Sequence, residues 1–200
     1  MVTPLVTMTD HTDAVTSVEW SKQQDHTIVS GGNDAFVRLW DSRTATNTLS
    51  LVMSTSSHTK THLLVNQRPP FLTSIFQSCE KALNGLSVSP ATGLIATGHI
   101  DNTVRVWDPR VQEGVVVKMT LSSHTGWVTA TAWAPVDTFN IVSASHDKTL
   151  KVWDIRSSTP LHTITAHEGK VLAVDWVKDM VLSGGTDNKL KMFKVSLPKK

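Results

Sequence analysis

The 200-residue sequence has no tyrosine and only one cysteine, Cys79. A lone cysteine rules out an intrachain disulfide and a Cys-x-x-Cys metal site. Its rarity fits a reducing compartment. No apolar run approaches the roughly 18 residues that would cross a bilayer, so no membrane partner is expected. The opening, MVTPLVTMTDH, has no basic stretch followed by an apolar one, and no secretory leader is expected. Charge is scarce as well: charged residues make up 18% of the chain and the formal net charge is +2. That balance does not argue for nucleic acid by itself. There is no cluster of metal-ligating residues and no glycine-rich phosphate loop ahead of a helix, so neither a metal nor a cofactor is expected. Against these absences stand seven tryptophans and a 40% hydrophobic content. The chain is long enough to bury a core, and the tryptophan bias implies a recurring structural position.

The recurrence is explicit. Four segments superpose, beginning at His11, Leu83, His124 and His167. A histidine precedes a tryptophan by nine residues in three of them: His11–Trp20, His124–Trp133 and His167–Trp176. A hydroxyl residue precedes an aspartate by four in all of them: Ser30–Asp34, Thr97–Asp101, Ser143–Asp147 and Ser183–Asp187. An aromatic follows that aspartate by six: Trp40, Trp107, Trp153 and Phe193. Each copy contains three β-rich runs separated by turn residues, such as WVTATAW, NIVSAS and LKVWDI, and a further run follows each of the first three copies.

Four short strands per period of roughly 40 residues, with Trp-Asp closing the third, match a propeller blade. The sequence resembles WD-repeat β-propeller proteins over most of its length. The expected fold is all-β, with blades at about 11–54, 82–122, 124–166 and 167–195. The aspartate-to-aspartate steps are 67, 46 and 40 residues, so the first carries an excess at about 55–81. That stretch reads as an insertion or as intronic sequence carried into the chain. PLVTMT at the start reads as the outer strand of an earlier blade. The expectation is therefore an arc of a larger ring, usually seven blades in the family, rather than a closed four-bladed ring.

A serine, a histidine and an aspartate within twenty-five residues, Ser145, His124 and Asp147, also suggest a hydrolase triad. A triad occurs once, in a pocket, beside an oxyanion site; this set recurs. The resemblance implies instead a hydrogen-bonded scaffold of His11/Ser30/Asp34/Trp40, Thr97/Asp101/Trp107, His124/Ser143/Asp147/Trp153 and His167/Ser183/Asp187. In the second copy Cys79 or Ser78 falls where histidine is expected and Val88 replaces tryptophan, so an incomplete network is expected there. Trp20, Trp133 and Trp176 are expected to pack between blades.

Loops on the His/Asp side supply the candidate partner-binding residues Asp13, Asn33, His99, Ile100, Trp127, His146, Lys170 and Thr186, with Trp127 foremost because interface hot spots favour Trp. Arg38, Arg105, Lys151 and Lys191 recur two positions before the third-strand aromatic. They are expected to lay aliphatic stems on apolar surface with their charges in water; a stripe for RNA phosphates is the alternative.

LSSHTGWVTATAW, TAHEGKVLAVDW and VLSGGTDNKL resemble a ribosome-biogenesis branch of the family. That resemblance implies a non-catalytic scaffold in large-subunit assembly and rRNA maturation, in the nucleolus and nucleoplasm. Its implied partners are a Pescadillo and block-of-proliferation complex and the pre-ribosomal large-subunit particle, with weak or indirect rRNA contact. The alternative is a substrate receptor of a cullin-type ubiquitin ligase, whose adaptor-docking tetrapeptide resembles the Trp-Asp-x-Arg stretches ending at Arg43, Arg110 and Arg156.

Overall fold

Alternating apolar runs bounded by turn residues fold as antiparallel strands. The computed structural model describes residues 6–52, 82–110, 117–135 and 137–197, and within them there are fifteen strands and no helix. The first sheet holds β1 (Val15–Trp20), β2 (Thr27–Gly32), β3 (Phe36–Asp41) and β4 (Thr46–Val52), in that order. The second holds β5 (Leu83–Val88), β6 (Ile95–His99), β7 (Thr103–Trp107) and β8 (Val117–Ser122). The third holds β9 (Val128–Trp133), β10 (Asn140–Ser145), β11 (Thr149–Asp154) and β12 (Pro160–Thr165). The fourth has three strands, β13 (Val171–Val177), β14 (Met180–Gly185) and β15 (Leu190–Lys194). The stretch 55–81, with Cys79 and Ser78, lies outside the described residues.

The turn between the second and third strands is the same in every sheet. The residue after the aspartate takes a left-handed backbone: Ala35 (φ 61°), Asn102 (67°), Lys148 (73°) and Asn188 (60°). For a non-glycine residue that conformation costs about 1–2 kcal/mol. The aspartate offsets the cost by accepting the N–H two residues on, from Phe36, Thr103, Thr149 and Lys189.

Three apolar junctions join the sheets in chain order. Val29, Val37 and Leu39 meet Leu83, Val88, Ile95 and Trp107. Ala96, Val104 and Val106 meet Val128, Trp133, Ile141 and Trp153. Val142, Ala144, Leu150 and Val152 meet Val171, Trp176 and Val181. Each sheet thus offers small aliphatic side chains to the next and receives that sheet's larger ones. The Trp133 indole N–H also donates across its junction to the Ser87 carbonyl at 3.1 Å. Trp133 and Trp176 are each only 5% exposed, whereas Trp20 is 53% exposed. The expectation of a packed Trp20 is therefore corrected. These tryptophans point at the preceding sheet, and no described strand lies on that side of β1.

The first strands of all four sheets line one shared cavity of about 250 Å³, with Glu19, Ser87, Thr131 and Asp175 on its wall. Sheets two and three approach closely at Gly85, where an added Cβ would lie 2.6 Å from the Ala130 Cα and the Thr129 carbonyl oxygen. Gly85→Ala is expected to cost about 1–3 kcal/mol in urea unfolding by forcing the sheets apart. Gly184→Ala is the control: an added Cβ there meets nothing within 4 Å, and the expected change is about 0.5 kcal/mol or less.

Candidate functional site

The repeated polar set forms a directional chain of hydrogen bonds. In the third sheet the Trp153 indole N–H donates to Ser143 Oγ at 2.8 Å, Ser143 Oγ lies 2.7 Å from His124 Nε2, and His124 Nδ1 lies 2.7 Å from Asp147 Oδ2. One tautomer satisfies every group: the serine hydroxyl donates to Nε2, and Nδ1–H donates to the carboxylate. The Thr125 amide and the Thr149 amide and hydroxyl complete the carboxylate's shell. Burial works against its charge, but the bonds from His124, Thr149 and Thr125 hold the Asp147 carboxyl well below the usual range.

The first sheet repeats the chain. Trp40 donates to Ser30 at 2.7 Å, Ser30 meets His11 Nε2 at 2.7 Å, and His11 Nδ1 meets Asp34 at 2.9 Å. The fourth sheet has Ser183–His167 at 2.8 Å and His167–Asp187 at 2.8 Å, with Phe193 contributing no indole N–H.

Asp, His and Ser stand in the order a hydrolase uses, yet the geometry denies that chemistry. Ser30, Ser143 and Ser183 are buried, and in two of the three sheets an indole N–H already occupies the hydroxyl oxygen. A nucleophile needs an open approach to a carbonyl carbon and an adjacent oxyanion site. The sets instead tie the loop before each first strand to the turn before the third.

The second sheet solves the same problem differently. Trp107 donates to Thr97 Oγ1 at 2.7 Å, and Thr97 Oγ1 lies 2.8 Å from Nε2 of His99. His99 is fully buried, so it is not available to a partner at the surface. Here an imidazole comes from the end of β6, two residues after Thr97, and the chain of hydrogen bonds stops there without reaching the turn aspartate. Burial first, and then the Arg105 guanidinium, push His99 down to about 3. Its Nδ1 has no hydrogen-bond partner among the described residues. Asp101 turns to Arg105 at 2.6 Å and to Thr103 at 2.6 Å. Burial opposes its charge, but those bonds bring it down to about 2.

The sequence holds a signal for this exchange. Positions equivalent to His99 are Gly32, Ser145 and Gly185. A Cβ on Gly185 would lie 2.7 Å from His167 Nδ1, and one on Gly32 would lie 3.3 Å from His11 Nδ1. A small residue makes room for the loop histidine; where that histidine is absent, a large one fills the space.

The recurring basic residues are also corrected. Arg38, Arg105 and Lys151 are buried rather than carrying their charges into water. Arg38 and Arg105 pair with the turn aspartate four residues earlier, at 3.2 and 2.6 Å. Lys151 donates to Thr163 and Lys191 to the Ala166 carbonyl. Arg38 and Arg105 thus serve carboxylates of their own sheets, Lys151 a hydroxyl on the neighbouring strand, and the half-buried Lys191 the segment that follows β12.

Four of the loop candidates gather between the third and fourth sheets. The exposed Trp127 indole stacks on the His146 ring at 5.3 Å between centroids and 24° between planes. Burial, and then the neighbouring charge of Lys170, hold the His146 imidazole below its ordinary value. The Lys170 amide donates to Thr186 Oγ1 at 2.9 Å. The others belong to the first two sheets: Asp13 is exposed and accepts the Ala14 amide, Asn33 donates its amide to the Ala14 carbonyl, and Ile100 is half-buried.

Arg43, Arg110 and Arg156 follow β3, β7 and β11, at the end of each third strand opposite the aspartate turn. Each forks onto the aspartate two residues before it: Arg43 Nε–Asp41 at 3.0 Å, Arg110 Nε–Asp108 at 2.8 Å and Arg156 Nε–Asp154 at 2.8 Å. Arg156 also lies over the Phe139 ring at 4.5 Å.

Antiparallel sheets whose first strands surround a common cavity, with a clamp of polar side chains inside each, define a repeat protein of the β-propeller class. Residues 2–41, 71–108, 116–154 and 158–194 match the family described as "WD domain, G-beta repeat", and the chain belongs to that family. The last two matched stretches begin one strand before the sheets they fill, so sequence repeat and blade are out of phase by one strand. Among curated proteins, the chain is 39% identical over 96% of its length to "Ribosome biogenesis protein WDR12 homolog" of Nematostella vectensis, covering 40% of that protein. It is 34% identical over 95% of its length to the protein of the same description in Ixodes scapularis, covering 39%. To the one in Oryza sativa subsp. japonica it is 36% identical over 92%, covering 36%. The chain thus spans about two fifths of the length of these relatives.

Proposed function

We propose that the chain is a non-catalytic propeller scaffold in ribosome biogenesis, acting in large-subunit assembly and rRNA maturation in the nucleolus and nucleoplasm. The observation that carries this reading is the similarity, over 92–96% of the chain, to relatives described as ribosome biogenesis proteins. Burial of every network serine supports a scaffold over an enzyme. A Pescadillo and block-of-proliferation-type complex on the pre-ribosomal large-subunit particle is the proposed partner, with Trp127, His146, Lys170 and Thr186 as its contact patch. The ligase-receptor alternative ranks second, because the arginines it needs are already forked onto Asp41, Asp108 and Asp154.

The test is affinity capture of the tagged chain from cells, followed by gradient sedimentation. Co-sedimentation with large-subunit precursors is expected. Trp127→Ala is expected to weaken capture by about 2 kcal/mol, roughly 30-fold in affinity. Recovery of a ligase adaptor without pre-ribosomes would reverse the ranking.

A further inference from the structure

The position just before each first strand is filled in turn by Ala14, Ala82, Trp127 and Lys170, and the position before each turn aspartate by Asn33, Ile100, His146 and Thr186. An alanine suffices at the first position in two of the sheets, so the fold does not call for the indole of Trp127. That indole lies with one face on the His146 ring and is 51% exposed, which leaves its other face to solvent. Both residues belong to the third sheet, which has another sheet packed on each side of it.

The polar groups still free around this stack are donors. Lys148 is exposed at the tip of the turn that carries His146, and the charge of exposed Lys170 reaches the His146 imidazole. No hydrogen bond or ion pair among the described residues engages the ammonium group of either lysine or the Trp127 indole N–H. The nearby carboxylates are already taken. Asp147 is held by His124, Thr125 and Thr149, Asp187 by His167 and the amides of Glu168 and Lys189, and Glu168 by the Lys189 ammonium at 3.3 Å. Donors left without acceptors suit a ligand that brings anionic oxygens.

We infer that this patch binds an acidic segment of a partner protein, whose carboxylates reach Lys148, Lys170 and the indole N–H while an apolar or proline side chain covers the open face of Trp127. The inference rests on the contact patch proposed above and names the chemistry that fits it. The remaining cations favour protein over nucleic acid. Arg38, Arg43, Arg105, Arg110 and Arg156 each pair with an aspartate of their own sheet. A nucleic-acid groove strings cations along successive phosphates and stacks successive bases on aromatic platforms. Here two free lysines and a single platform stand beside the exposed Glu168, on a chain of net charge +2. A few carboxylates match that supply. Such complementarity speeds association and excludes basic partners, and the indole is the anchor.

The test is fluorescence anisotropy on the purified 200-residue chain at about 50 mM salt, where ionic contacts are little screened. The probes are a labelled dodecapeptide of Asp and Glu around a central Leu-Pro, the same peptide with Lys at every acidic position, and dodecauridylate RNA. The acidic peptide is expected to bind with a Kd of about 10–500 μM, and the other two at least roughly tenfold more weakly. Trp127→Ala is expected to weaken it roughly 30-fold, and Lys148→Gln with Lys170→Gln roughly tenfold. Lys118→Gln with Lys178→Gln removes the same charge from the opposite ends of their sheets, and a change of less than about twofold is expected. Absent binding of the acidic peptide, tighter binding of the RNA, indifference to Trp127→Ala, or equal losses from the two lysine pairs would each overturn the inference. Capture of large-subunit precursors is read separately. Capture without peptide binding sinks this inference and leaves the ribosomal reading standing; peptide binding with this pattern but no capture does the reverse.

Discussion

Trp133→Ala is expected to lower the unfolding free energy by about 3–5 kcal/mol, the range for a buried large aromatic, and Trp20→Ala by less than about 1 kcal/mol. The two residues occupy the same position in the repeat, nine after the loop histidine. Their surroundings differ. Trp133 sits in the junction with Ala96, Val104 and Val106 and donates to the Ser87 carbonyl. Removing it leaves a cavity between sheets and an unpaired carbonyl, and both terms destabilise. Trp20 leaves about half its surface in water already. Urea unfolding of the two variants at the same protein concentration measures the difference. Equal costs at the two positions would show that the tryptophan is held by its own sheet and not by the preceding one, and the description of the apolar junctions would fail with it.

The same pair marks how far the sequence is legible. Period-two alternation and aspartate turns are local, and they suffice to place four sheets and the polar set inside each. The spacing carries the hydrogen bonds because antiparallel pairing fixes it: with Ser143 opposite Lys151 and Ile141 opposite Trp153, the hairpin sets the indole diagonal to Ser143 on the same face. Burial of a first-strand tryptophan is not local. It depends on whether another sheet lies on its near side, and residues near Trp20 carry no such information. The buried basic residues were readable in principle: Arg38 and Arg105 lie four residues after Asp34 and Asp101 across a tight turn, which is an ion-pair spacing. A sheet interior with a carboxylate in it requires a partner, and the arginine is the residue within reach. The Trp127–His146 stack was hidden for another reason. Trp127 lies on the connection between sheets and His146 on a hairpin loop, and they meet because the register sets Val128 opposite Ser145.

His99 gives the clearest functional consequence of a substituted clamp. The unfolded chain takes up a proton on this imidazole near pH 6.5. The folded chain resists until about 3, because burial and the Arg105 guanidinium both oppose the charge. Between those values the unfolded state holds one proton more, so stability falls as pH falls, by about 1.4 kcal/mol per pH unit. Roughly 3 kcal/mol is expected to be lost by pH 4 through this one residue. Asp101, held down to about 2, works in a lower window: its contribution is present above an unfolded value of about 4 and is lost only below it. The two groups therefore separate on the pH axis. His99→Gln keeps an amide within reach of Thr97 Oγ1 but does not titrate. Urea unfolding of both proteins from pH 7 to 4 is expected to show a difference in slope equivalent to one proton, with the variant the flatter. The other histidines contribute equally to both proteins and cancel in the difference. Parallel curves would mean that His99 takes up its proton in the folded chain as readily as in the unfolded one, and that the Thr97–His99 pair does not exclude charge as its burial requires.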